Sequence, residues 1–177
     1  MPPVIFQTPR LLARQLEPDD LPALVAVYGD ADAMRWVADG EPLDAAECAR
    51  WLDVTAANYL LRGYGMAALV EKSTGSVIGF CGLVHPDGQP EAEIKYALKR
   101  SYWGQGLATE AARAMLAYGA AAHGLQHIIA TIAPENMASH RVLEKAGMTA
   151  MALRNNDDGS VTLLFGWQAP TGEPPGP

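Results

Sequence analysis

The stretch YWGQGLATEA, residues 102–111, lies between two strand-like runs, AEIKYAL before it and the short β-branched HIIATIA after it. Two glycines around a glutamine read as a tight loop. Ala108 onward reads as a helix to about His123, with Gly124 as its stop. Strand, glycine loop, helix, strand is a β-α-β unit, right-handed by default, and it requires two parallel strands in one sheet. Ligands of such units gather where the first strand ends and the helix begins.

The remaining segments build around that unit. RLLARQL reads as a first strand, and Pro18, Asp19 and Asp20 open a helix whose Leu21, Leu24, Val25 and Tyr28 follow at i, i+3, i+4, i+7. A second helix starts near Asp44, with Glu47 completing a capping box. Its expected buried face carries Cys48, Trp51, Leu52, Thr55 and Tyr59, and Gly63 ends it. YGMAALVEK and VIGFCGLVH flank the turn Ser73-Thr74-Gly75 as an antiparallel hairpin, and HPDGQP turns the chain into AEIKYAL. Pro134 and Asn136 open another helix, closed by Gly147, and MALRN and VTLLFGW form a last hairpin around Asp157-Asp158-Gly159. The expected class is α/β (α+β): one domain over residues 1–168, with a mixed, mostly antiparallel sheet and flanking helices. The tail APTGEPPGP, residues 169–177, is too rich in Pro and Gly to pack and is expected to be disordered.

Composition excludes several functions. A net charge of -7 offers no footprint for a nucleic-acid backbone and mildly favours amine-bearing small molecules. Cys48 and Cys81 form no C-x-x-C pair, which fits a reduced cytoplasmic setting. No signal-peptide block opens the chain. The most apolar stretch, Ala111 to Ala122, is too short for a bilayer and is interrupted by Arg113. His123 and His127 are separated by the helix stop at Gly124, and no metal site is expected.

The first turn of a helix leaves backbone N–H groups unpartnered, and glycines let an anion approach them. The loop lacks the lysine of a nucleoside-triphosphate loop, which disfavours a nucleotide-binding regulator. It also lacks the third glycine of a dinucleotide fingerprint, because Thr109 stands there. By itself the loop serves equally as a corner. Asn136 reads equally as a helix N-cap or as the partner of an amide on a ligand. Ser139 falls in the first turn of its helix, either solvated or facing a ligand. Glu93, Lys95 and Ala97 share one strand face and Ile94, Tyr96 and Leu98 the other. The polar face is expected to border a cleft, and a Glu93–Lys95 ion pair, at roughly 7 Å along the backbone, is the competing reading.

YWGQGLATEAARAMLAYGAAAHGL, then a strand, then NMASHRVLEKAGM, resembles the acetyl-coenzyme A site of the GNAT superfamily of N-acetyltransferases, in its Rim-type branch. That branch shows N-x-x-S before a short helix ending in K-x-G-[FM], matched here by Asn136, Ser139, Lys145, Gly147 and Met148. TPRLLARQL resembles its opening strand and TGSVIGFCGL its hairpin, so the likeness runs from about Thr8 to Trp167. Two departures stand out: Trp103 at the first place of the superfamily loop, and Lys95 where the branch commonly has glycine.

The resemblance implies a GNAT fold with a splayed strand pair forming the coenzyme cleft. It implies acetyl-coenzyme A as co-substrate, its pyrophosphate on the backbone of Trp103, Gly104, Gln105, Gly106, Leu107, Ala108 and Thr109. The pantetheine arm would pair with the strand end at Ala97 and Leu98 and meet Asn136 and Ser139. The expected activity is acetyl transfer to a primary amine, on a protein N-terminus or a small molecule, by direct attack. Glu93 is expected to take the amine proton through a water, a backbone N–H near Leu98 to hold the oxyanion, and Ser139 to bond the sulfur. The alternative is a catalytically silent coenzyme A-binding module. Acceptor walls are expected from Ala31 to Pro42 and in HPDGQP, and a homodimer is expected through the last hairpin.

Overall fold

The structure is a computed structural model that describes residues 1–37 and 39–171. Strands β1 (Val4–Gln7), β2 (Leu11–Gln15), β3 (Met66–Glu71), β4 (Val77–Val84) and β5 (Ala92–Leu98) pair antiparallel in chain order. β6 (His127–Ile132) joins β5 in parallel, and β8 (Val161–Gln168) lies between β6 and β7 (Thr149–Asn155). The sheet therefore runs β1-β2-β3-β4-β5-β6-β8-β7, mixed and mostly antiparallel as the sequence implies.

Alternation along the strands divides the core in two. Ala67, Leu69, Ile94 and Leu98 pack against Leu107, Ala111, Met115 and Leu143 of α4 (Leu107–His123) and α5 (Met137–Ala146). Met66, Ala68 and Phe80 face Leu24, Val27, Tyr28 and Cys48 of α1 (Leu21–Tyr28) and α3 (Ala45–Arg62). Helices on both faces make this a three-layer domain. The Asp44–Glu47 capping box forms with bonds of 2.8 and 2.7 Å, and Gly63 closes α3 at φ 80°. Of the expected α3 face, Cys48 and Thr55 are buried, while Trp51, Leu52 and Tyr59 are partly so.

Two elements differ from expectation. RLLARQL contributes the second strand, because VIFQ forms β1 ahead of it. Four residues are too few to show a period of two. A short helix, α2 (Ala31–Met34), also forms where no periodicity announced one, capped by the Asp30 carboxylate accepting from the Asp32 and Ala33 amides. At the other end, Ala169 is buried and its N–H donates to the Gln126 carbonyl at 2.9 Å. The packed domain thus runs past residue 168; residues 172–177 of the expected disordered tail lie outside the described residues.

One topological detail positions the site. β5 and β6 are in register only at Ala92–Ile128 and Glu93–Ile129. Beyond that, β5 stays on β4 to Leu98 and β6 stays on β8 to Ile132. The two parallel strands part into a V whose mouth faces the start of α4.

Candidate active site

At the mouth of the V lies a cavity of about 570 Å³, within the range of small-molecule sites. Its floor is the start of α4. Gly106 is the N-cap, held at φ 76° with no side-chain cap, and the first intrahelical bond runs from Glu110 N–H to the Gly106 carbonyl. The amides of Leu107, Ala108 and Thr109 therefore have no partner within the helix, and all three residues line the cavity. A Cβ on Gly106 would meet nothing of the protein closer than Arg10 Nη2 at 3.6 Å. The demand for glycine is thus its backbone angle.

The loop is fixed from behind. Arg10 donates from Nη1 to the Gln105 carbonyl at 2.8 Å and from Nε to Glu110 at 2.7 Å. Glu110 also accepts from the Thr8 hydroxyl at 2.6 Å and the Arg10 amide at 3.0 Å. Burial works to raise the Glu110 carboxyl, but these bonds outweigh it and hold it below the usual glutamate range.

One wall is the free edge of β5. Lys99 N–H donates to the Ile78 carbonyl at 2.8 Å. Bond direction alternates along an antiparallel pair, so the backbone groups of Leu98 and Tyr96 point the other way, into the gap. There the Leu98 carbonyl accepts from the Trp103 indole Nε1 at 2.9 Å. Tyr96, Ala97 and Leu98 all line the cavity, because at a parting strand both faces of β5 border it.

The opposite wall is the start of α5. Asn136 Oδ1 accepts from Ser139 N–H at 3.2 Å, and its Nδ2 donates to Ser139 Oγ at 3.1 Å. The backbone N–H can only donate, which fixes the orientation of the amide. Ser139 Oγ is an acceptor in that pair, so its own proton is free for the cavity. The Tyr96 hydroxyl lies 3.5 Å from the Ser139 carbonyl, and burial pushes it up to about 12, keeping it protonated.

Glu93 sits deeper, at the apex. Its side chain is 2% exposed and does not line the cavity. Oε1 accepts from Thr131 Oγ1 at 2.5 Å and pairs with Lys95 Nζ at 2.5 Å, while Oε2 accepts from Gln89 Nε2 at 3.1 Å. The carboxylate joins β5 to β6 where the two strands still pair. The expectation that the polar face of β5 borders the cleft is corrected: only Ala97 of Glu93, Lys95 and Ala97 lines it.

The acetyltransferase (GNAT) domain family matches residues 10–149. The chain belongs to the GNAT acetyltransferase family. Over 146 residues it is 35% identical to the uncharacterized protein YkkB of Bacillus subtilis (strain 168), covering 80% of this chain and 83% of that one. A GNAT-family acetyltransferase from Bacillus anthracis superposes with a TM-score of 0.80 at 24% identity, over 92% of this chain and 96% of that one. RimL, a ribosomal-protein alpha-N-protein acetyltransferase in complex with coenzyme A, superposes at 0.78 and 18% identity, over 94% and 98% of the two chains. The fold of the GNAT family is thus reproduced here, and family membership makes this chain an acetyl-coenzyme A-dependent acetyltransferase.

Within this acetyltransferase, most expected coenzyme residues border one cavity: Ala97, Leu98, Trp103, Gly104, Gly106, Leu107, Ala108, Thr109, Asn136 and Ser139. Gln105 does not line it; its side chain donates back to the Ser101 carbonyl at 3.1 Å. Asp32, Ala33, Arg35, Trp36 and Val37 line the far side, whereas no residue of HPDGQP does. Tyr96, Arg10 and Glu110 escaped the sequence. Tyr96 lies on the face expected to turn from the cleft, because alternation does not show that both faces of a parting strand border it, and no local pattern links Arg10 to a glutamate 100 residues away.

Proposed function

We propose that this acetyltransferase moves acetyl from acetyl-coenzyme A to a primary amine, at a peptide N-terminus or on a small molecule, by direct attack in the V between β5 and β6. What carries the reading is one cavity in which uncapped α4 amides and the free edge of β5 converge. Amides of Leu107, Ala108 and Thr109, with the positive end of the helix dipole, suit a pyrophosphate. The backbone groups of Tyr96, on the free edge of β5, suit the amide-bearing pantetheine arm as an added strand. Asn136 serves as N-cap and offers that arm a further polar group.

The chemistry then falls to few groups. Bound acetyl-coenzyme A supplies an activated thioester. The Leu98 N–H is placed to hold the negative charge that develops on the thioester oxygen. Ser139 Oγ–H donates a hydrogen bond to the sulfur as the thiolate leaves. Holding amine and thioester together contributes much of the rate. The amine must lose a proton, and Glu93 takes it through an ordered water. Glu93 does not line the cavity and its oxygens are taken up by Thr131, Lys95 and Gln89, which argues against direct contact with the amine.

The sheet also ends in the bare edge of β7, with Met151 and Leu153 65% and 64% exposed, where a second copy would pair. The test of function is thiol release from acetyl-coenzyme A across N-terminal peptides, polyamines, amino acids and aminoglycosides. Release matched by formation of the amide with a primary amine supports the reading. Tight coenzyme binding with no release for any amine makes the chain a silent coenzyme-binding module.

A further inference from the structure

We propose that Arg100 is a positioning residue for the acceptor amine, locking the acceptor wall at residues 31–37 to the coenzyme loop. The proposal rests on the reading above, in which that wall faces the amine.

Arg100 opens the single 3-10 turn, Arg100–Tyr102, that joins β5 to the glycine loop. Its guanidinium bridges two carboxylates of the facing segment. Nη2 donates to Asp30 Oδ2 at 2.7 Å, and Nη1 pairs with Asp32 Oδ2 at 2.6 Å. Asp30 does double work: its Oδ1 accepts from the Asp32 and Ala33 amides at 2.9 and 3.1 Å and so caps α2. Arg100 itself does not line the cavity, but Asp32, Arg35 and Trp36 do, across from Trp103 and Gly104.

A four-residue helix is far below the length that is stable alone, so α2 needs outside anchors. Met34, buried in the core, supplies one. The Arg100 fork supplies another, on the side toward the cavity, and it is planar and bidentate in a way lysine cannot copy. Exposed ion pairs of this kind add little to global stability. They are sufficient to bias a short wall segment. Removing Arg100 should therefore loosen the wall and leave the coenzyme floor, which rests on Arg10 and Glu110, in place.

Hydrogen exchange on the full chain tests this, with coenzyme A as the probe of the loop. In Arg100→Met, amides of residues 31–37 exchange about fivefold faster, while α3 and β5 keep wild-type protection. Its coenzyme A affinity by calorimetry stays at the wild-type value. Asp30→Asn keeps an N-cap residue and loses the charge, so it moves the same amides in the same direction. Raising salt to about 1 M speeds those amides in wild type and leaves Arg100→Met unchanged, because screening removes only a bracket that is present. With the most active amine from the thiol-release screen, Arg100→Met raises the KM of the amine and leaves that of acetyl-coenzyme A alone. Wild-type exchange at residues 31–37 in Arg100→Met overturns the proposal. Faster exchange spread equally over α3 and β3 also overturns it, since Arg100 is then a general stabiliser. An unmoved amine KM beside a loosened wall overturns it too. A wild-type chain that releases no thiol for any amine fails the functional reading instead, and the two failures are thereby distinct.

Discussion

At Gly106 the backbone stands at φ 76°, in the left-handed region that β-branched residues avoid. Gly106→Val strains that turn by about 1–2 kcal/mol. The proposed coenzyme floor depends on its geometry, so the affinity for acetyl-coenzyme A should fall by about tenfold or more. Calorimetry checks this, and unchanged affinity places the pyrophosphate elsewhere. Ser139 and Glu93 separate differently. Ser139→Ala removes one hydrogen bond, so turnover should fall by about tenfold with a smaller change in acceptor KM. Glu93→Gln should lower turnover by up to about 10²-fold, toward the low end for acid–base groups, and most below the amine's pKa. Wild-type turnover in both variants at every pH means the site works by proximity alone. The sequence marked Glu93 by residue type and alternation. The pair with Lys95 was the competing reading and forms; the bond to Thr131 was not legible, because a contact across β5 and β6 depends on where the strands part.

Among the elements, α4 and α5 were plain in sequence, since each ends in a left-handed glycine and each begins with a recognisable start. The Asn136-x-x-Ser139 spacing places cap and hydroxyl within one turn, which is why a local motif carried both. The tie between the β1–β2 turn and α4 was invisible for the opposite reason: Thr8, Arg10 and Glu110 meet only through tertiary structure. That tie has a pH signature. The Glu110 carboxyl is lowered in the folded chain, so its contribution is present above the unfolded glutamate pKa and lost as pH falls through the folded value. Glu110→Gln should cost about 1–3 kcal/mol at neutral pH. The difference should shrink below about pH 4. Denaturant titrations at several pH values measure it, and a pH-independent difference removes the charge from the explanation. Arg113, one turn on, ties the same helix to α5 by donating to the Lys145 carbonyl at 2.8 Å.

For the whole molecule, the mostly antiparallel sheet and its single crossover followed from the sequence of segments, whereas β1 and the place of β8 between β6 and β7 did not. The depth at which β5 and β6 separate did not follow, and that depth makes the cavity. The bare β7 edge leads to an expected homodimer that Leu153→Lys converts to monomer, as sedimentation reports; monomer at every concentration in the wild-type chain disposes of it. A crystal structure of the chain with coenzyme A shows where the coenzyme lies. Pyrophosphate oxygens are expected within hydrogen-bond reach of the Leu107, Ala108 and Thr109 amides, with the pantetheine arm beside Tyr96 to Leu98. Coenzyme density outside the V, for instance against Arg10 and Arg113 on the far side of Gly106, would contradict it.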